Sequence, residues 1–170
     1  MGMSVSENVR EIAQHSERMI RCPGIATDIT PAQVGQTLFT IYNDPIIVRY
    51  IFGVVTTLIG AGAATPFLQH VSNAAYGAVT SPICALSASI ANVTTGTILQ
   101  MTGVAAGILT VSAVRGKRAV AEATGIWGGD YVVLVPGVIQ IVNATSAVGG
   151  IIDWYMNYIP CSQLGRVTVR

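Results

Sequence analysis

Between Tyr50 and Val114 the chain has no Asp, Glu, Lys or Arg, a gap of 65 residues. A second uncharged tract runs from Tyr131 to Ile152. Charged residues make up only 10% of the 170 residues and aromatics 6%, with a hydrophobic share of 51% and a mean hydropathy of +0.58; ordinary soluble domains are about 25% charged. Each element of a water-soluble fold turns one face to solvent, and that face is normally polar. Gaps of this length therefore predict lipid surroundings. The net charge of +1 leaves no field that would attract nucleic acid. Asn-Gly and Asp-Gly hairpin signals are missing, and period-2 alternation is poor, both of which count against strands.

Motifs that carry chemistry are scarce as well. Cys22, Cys84 and Cys161 lack CxxC-type spacing and a neighbouring His, so no metal site is expected. The chain has no G-x-G-x-x-G, P-loop or G-x-S-x-G elbow, which leaves no cofactor site and no catalytic residue to nominate. The long apolar runs lack the Asp, Glu or His of a proton or ion path. His15 belongs to the polar part of the first predicted helix, and His70 lies just beyond the first apolar run. The sequons at Asn92 and Asn143 fall beside or inside apolar runs and are set aside.

What is present sits mostly at the start. The stretch SVSENVREIAQHSERMIRCPG places Val5, Val9, Ile12, Met19 and Ile20 on one helical stripe after a Ser4/Glu7 capping pair, and Cys22-Pro23-Gly24 stops it. A second amphipathic helix is predicted in TPAQVGQTLFTIYND, capped by Thr30 with Pro31 following, and ending at Asn43-Asp44-Pro45. Residues 1–44 thus form an amphipathic N-terminal region. Its apolar stripe suits either packing on the protein or a membrane surface.

Residues 45–153 then read as an all-α membrane domain. Spans are expected near 45–65, 96–114 and 131–152, each about 20 residues and so roughly the 30 Å of a hydrocarbon core. Trp127 and Tyr131 before the last run, and Trp154, Tyr155 and Tyr158 after it, resemble interfacial aromatic belts. The Pro82-containing stretch 68–95 is too diluted with Ser, Thr and Asn for a span and is assigned to a re-entrant or interfacial position. Gly103 and Gly107 form a small-xxx-small pair suited to helix packing. Arg115, Lys117 and Arg118 break the uncharged tract and set topology: with the N-terminal arginines on the same cytoplasmic side, an even number of crossings must lie between, which gives three spans. Four is the alternative count. Residues 154–170 form a polar tail on the far side, where Cys84 and Cys161 either pair or remain free thiols.

MGMSVS fits M-G-x-x-x-[ST], which marks Gly2 for myristoylation. The function expected from all this is structural: a small integral membrane protein without enzymatic activity, packed against copies of itself or other membrane or shell proteins, for example in a membrane-containing virion. Two other readings stand beside it. In the first, Arg49 and YIFGVVTTLIGAGA form a leader cleaved after Ala63; the apolar, basic, apolar order over roughly 96–152 then resembles the hairpin of conjugative pilins and implies a secreted filament subunit. In the second, the Thr-, Val- and Gly-rich tracts are buried strands of a soluble β-rich shell protein.

Overall fold

The uncharged tracts fold as strands. The computed structural model describes residues 16–27, 35–62, 64–84, 87–101, 109–111, 132–143 and 149–170. In chain order these hold β1 (Arg18–Ala26), β2 (Gln36–Tyr42), β3 (Ile46–Thr57), β4 (Pro66–Ser72), β5 (Thr80–Pro82), β6 (Ile98–Met101), β7 (Leu109–Val111), β8 (Val132–Leu134), β9 (Gly137–Asn143), β10 (Ile151–Pro160) and β11 (Arg166–Val169). One 3-10 turn, Ala74–Tyr76, is the sole helical element among the described residues. The composition of the long strands explains the choice. IIVRYIFGVVTT in β3 and GVIQIVN in β9 are dense in β-branched and aromatic side chains, which lose χ1 freedom in a helix and pack well on a pleated surface.

Two antiparallel sheets result. One has the order β1-β10-β3-β6-β7, with β8 also on β3; the other runs β11-β2-β9-β4-β5. β6 pairs with Phe52–Val54 of β3 and β8 with Ile46–Val48, both antiparallel. The two therefore run in one direction along the same edge of β3, as two pieces of one strand position. With β6 and β8 counted as one strand, eight strands lie in the orders β1-β10-β3-β6/β8 in one sheet and β2-β9-β4-β5 in the other, the chain crossing between sheets at every step but the β4–β5 hairpin. This is the connectivity of an eight-stranded jelly roll, extended by β7 beside β6 and by β11 beside β2.

Inward-facing side chains of both sheets share one core. It includes Ile46, Ile51 and Val55 of β3, Leu68 of β4, Ile139 and Ile141 of β9, and Trp154 and Met156 of β10, each at most 2% exposed. Trp154 pairs in register with Cys22 on one side and Gly53 on the other. A Cβ on Gly53 would stand 2.8 Å from Ile152 Cγ2 and 3.3 Å from the indole. The smallest residue type thus makes room for the largest.

The structure overturns the all-α membrane reading. No described helix is long and apolar enough to cross a membrane, so the integral-membrane localisation loses the helical spans on which it rested; strand-built membrane barrels are not addressed by that finding. The predicted span 45–65 is mainly β3. The predicted span 131–152 is divided among β8, β9 and the start of β10, with a bend at Pro136 between β8 and β9. Of 96–114, the described parts form β6 and β7. The stretch 68–95, read as re-entrant, contains most of β4, the 3-10 turn and β5. Part of each N-terminal helix is also strand: β1 runs through Cys22-Pro23-Gly24, the expected stop, as an edge strand with a register shift between Cys22 and Ile25, and β2 replaces the second helix. The tail assigned to 154–170 holds most of β10 and all of β11. The leader proposed to end at Ala63 contains most of β3, which is hydrogen-bonded on both sides within its sheet; Ala63 itself lies outside the described residues.

Candidate functional site: the two outer sheet faces

Along β4, and along β9 as far as Ile141, burial alternates and the outward set can be read directly. Phe67, Gln69 and Val71 of β4 and Val138 and Gln140 of β9 point away from the core, joined by Thr37 and Thr40 of β2. Register aligns them in rows, Thr37 with Gln140 and Gln69, and Thr40 with Val138 and Val71. Gln69 Nε2 donates to Gln140 Oε1 at 2.9 Å, and Gln140 Nε2 to Thr37 Oγ1 at 3.5 Å. These amides form a ladder across three strands. β2, β4, β5 and β9 contain no Asp, Glu, Lys or Arg; the flanking β11 adds Arg166, whose guanidinium lies 5.3 Å from the Tyr42 ring centroid.

The six-stranded sheet presents a different exterior. Tyr155 of β10 stacks on Phe52 of β3 with centroids 4.9 Å apart, and Tyr50 lies 6.1 Å from Phe52. Beside them a groove of about 270 Å³ is lined by Met19, Tyr50, Ile51, Phe52, Ile98 and Gln100. Charges sit around this face in pairs. Arg21 reaches Asp153 at 2.6 Å, and Arg49 reaches Glu17 at 3.5 Å, the second pair open to solvent and worth little. Burial pushes the Asp153 carboxyl pKa up, but the Gly24 N–H at 2.8 Å and the Arg21 guanidinium outweigh that and hold it below its ordinary value.

His70 is the one strongly buried titratable group of the other sheet among the described residues. Its ring, 6% exposed, lies on the inward side of β4, with Nε2 3.0 Å from the Val135 carbonyl. A carbonyl only accepts, so Nε2 carries the proton. The contact ties β4 to the chain linking β8 with β9, and hence one sheet to the other. Desolvation lowers the ring's pKa below 6.5, and the Val135 bond opposes this only in part. The folded chain therefore resists a proton that the unfolded chain accepts. Stability from this group is fully present above about pH 6.5 and is lost as pH falls below it towards the depressed value. Urea midpoints at pH 7.5 and 5.5 should show a smaller acid loss in His70→Gln than in the natural chain; equal losses would assign the effect elsewhere.

Of the residues nominated from sequence, Gly2, Gly103, Gly107, Arg115, Lys117 and Arg118 all lie outside the described residues. The topological role given to the basic cluster needed flanking spans, and the described flanks are strands. Cys22, Cys84 and Cys161 are free thiols, so Cys84 and Cys161 are not paired. Burial pushes the Cys84 thiol up to about 11, which keeps it protonated and unreactive. Among the described residues no group of three His, Cys, Asp or Glu is placed to hold a metal ion. The outer face of the five-stranded sheet escaped sequence reading, although its signal, four strands without charge on either side, was there.

Fold and faces together define a jelly-roll β-sandwich with one uncharged amide- and valine-bearing exterior and one aromatic, grooved exterior. Comparison with known protein families, with curated proteins and with solved structures finds no match for this chain.

Proposed function

We propose that this chain is a non-enzymatic structural subunit that assembles with copies of itself into a shell, through the outer face of its five-stranded sheet. One observation supports this above the others: four adjacent strands, β5, β4, β9 and β2, carry no charge on either side. A sheet face that stays in water is ordinarily polar and charged. Here the outward positions are Val, Phe, Thr and Gln, which are compatible with burial when their amides and hydroxyls find partners across a contact. The scarcity of charge that suggested acyl chains is accounted for equally well by protein surface meeting protein surface. A jelly roll suits the role, since shell subunits are among the proteins built on it, and a sandwich with flat sides offers broad contact areas.

Sedimentation of the purified chain over a wide concentration range tests this. The natural chain should associate, and Val138→Lys, which sets an unpaired ammonium in the middle of the face beside Val71, should weaken association about 30- to 1,000-fold, corresponding to a buried unpaired charge of roughly 2–4 kcal/mol. Gln163→Lys, at an exposed turn, should change nothing. A natural chain that remains monomeric throughout, or a Val138→Lys chain that associates normally, removes the proposal.

A further inference from the structure

We propose that the tip of the hairpin between β4 and β5 is a preformed knob that seats in the groove on the six-stranded sheet of a second copy of this chain. Residues 73–82, NAAYGAVTSP, are exposed at every position and carry no charge. Tyr76 is 44% exposed and Val79 54%. β5 is the last strand of its sheet, so the tip stands at a corner of the sandwich. A contiguous apolar projection on a water-facing corner marks a contact surface.

The tip holds its own shape. Ser72 Oγ accepts from the Val79 N–H at 2.9 Å and donates to the Tyr76 carbonyl at 3.3 Å. The Asn73 carbonyl accepts from the Tyr76 and Ala78 N–H groups at 3.0 and 3.1 Å, and the Asn73 N–H donates to the Pro136 carbonyl at 3.0 Å. These bonds keep Gly77 at φ +91° and Ala78 at φ +49°, left-handed values that a residue with a Cβ adopts only when its surroundings impose them. A projection already fixed in this way has little freedom left to lose on docking.

The groove has the matching chemistry. Met19, Tyr50, Phe52 and Ile98 form its apolar walls, and its volume of about 270 Å³ is that of about nine waters, room for the Tyr76 ring and the Val79 side chain. Arg21 and Arg49 beside it are already paired, with Asp153 and Glu17, so no lone charge is left to be buried under an uncharged knob. The groove opens on the side of the sandwich opposite to the sheet that carries the knob, out of its reach within one chain. The contact therefore joins two copies through unlike surfaces, a kind that repeats from copy to copy, whereas a two-fold contact through a single sheet face closes at a dimer. The choice of partner rests on the shell reading above, to which this adds the second contact that a shell needs.

The test mixes two full-length chains, both with Cys161→Ser, which removes the exposed native thiol, and both with Val138→Lys, so that the five-stranded face takes no part. One adds Ala75→Cys at the tip and the other Met19→Cys at the groove, both exposed positions. With a short bis-maleimide, the mixture should crosslink at least about tenfold faster than one in which Gln163→Cys replaces Met19→Cys. Tyr76→Asp on the first chain should abolish that preference. Equal rates for the two mixtures overturn the proposal. So does equally fast crosslinking of the Ala75→Cys chain with itself, which would mean that the tips meet each other. These rates judge the knob alone, and sedimentation judges the sheet face. If the Met19→Cys chain does not unfold cooperatively, Gln100→Cys in the same groove is read by the same criteria.

Discussion

Trp154→Ala should destabilise the fold by about 3–5 kcal/mol, lowering the thermal midpoint by roughly 6–20 °C in a chain of this size. Trp154 is 0% exposed and is flanked in register by Cys22 and Gly53. Neither neighbour has the bulk to refill the space an indole leaves, so the cavity persists and its cost adds to the lost transfer energy. The indole Nε1 has no hydrogen-bond partner. Trp154→Phe therefore gives up less than its size suggests, about 1 kcal/mol, because an unpaired buried donor leaves with the second ring. Urea titration of the three chains measures both values. An Ala variant within 1 kcal/mol of the natural chain would show that the two sheets do not close over this residue.

The second large effect is expected at Gly137, the first residue of β9. β9 runs between β2 and β4, and Gly137 pairs with Ile41 on one side and Ser72 on the other. A Cβ there would overlap the Val71 carbonyl oxygen and stand 2.8 Å from Ser72 Cα and 2.9 Å from His70 Nε2. Two of these are backbone atoms fixed by the ladder and cannot retreat as a side-chain tip could. The third is the imidazole nitrogen that holds the Val135 carbonyl. Gly137→Ala should cost about 3 kcal/mol or more, a fall in thermal midpoint of roughly 6–12 °C, and should increase hydrogen exchange in β4 and β9 first. Gly24→Asn is the matched control: its φ of +67° is one that Asn tolerates, and no atom lies within 4 Å of the added Cβ. It should unfold within about 0.5 kcal/mol of the natural chain.

Much of the punctuation along the chain was legible. Asn43-Asp44-Pro45 was read as a stop followed by a start, and it separates β2 from β3, with Asn43 at φ +65° making the turn. Pro136, a residue that strand interiors exclude, lies between β8 and β9. Hidden from the sequence was the kind of element between these marks. In β4, PFLQHVS, the inward residues Pro66, Leu68, His70 and Ser72 alternate with outward Phe67, Gln69 and Val71. Burial has period 2 while hydropathy does not, because polar His70 and Ser72 are satisfied inside, by the Val135 carbonyl and by contacts with Tyr76 and Val79, and apolar Phe67 and Val71 face out. A strand whose outer side carries no charge lacks the contrast by which strands are recognised.

By itself, the sequence determined some of the breaks between elements, as at Asn43-Asp44-Pro45, that the elements would be rich in β-branched residues, and that long stretches would be without charge. It also fixed the shortage of catalytic motifs, since residue types are a local property. Only the tertiary structure decided what lies against the uncharged tracts, because low charge is equally compatible with lipid and with a neighbouring sheet. It also decided that β6 and β8, separated by 30 residues, occupy one strand position beside β3. That pairing is a non-local hydrogen-bond register that no window along the chain contains.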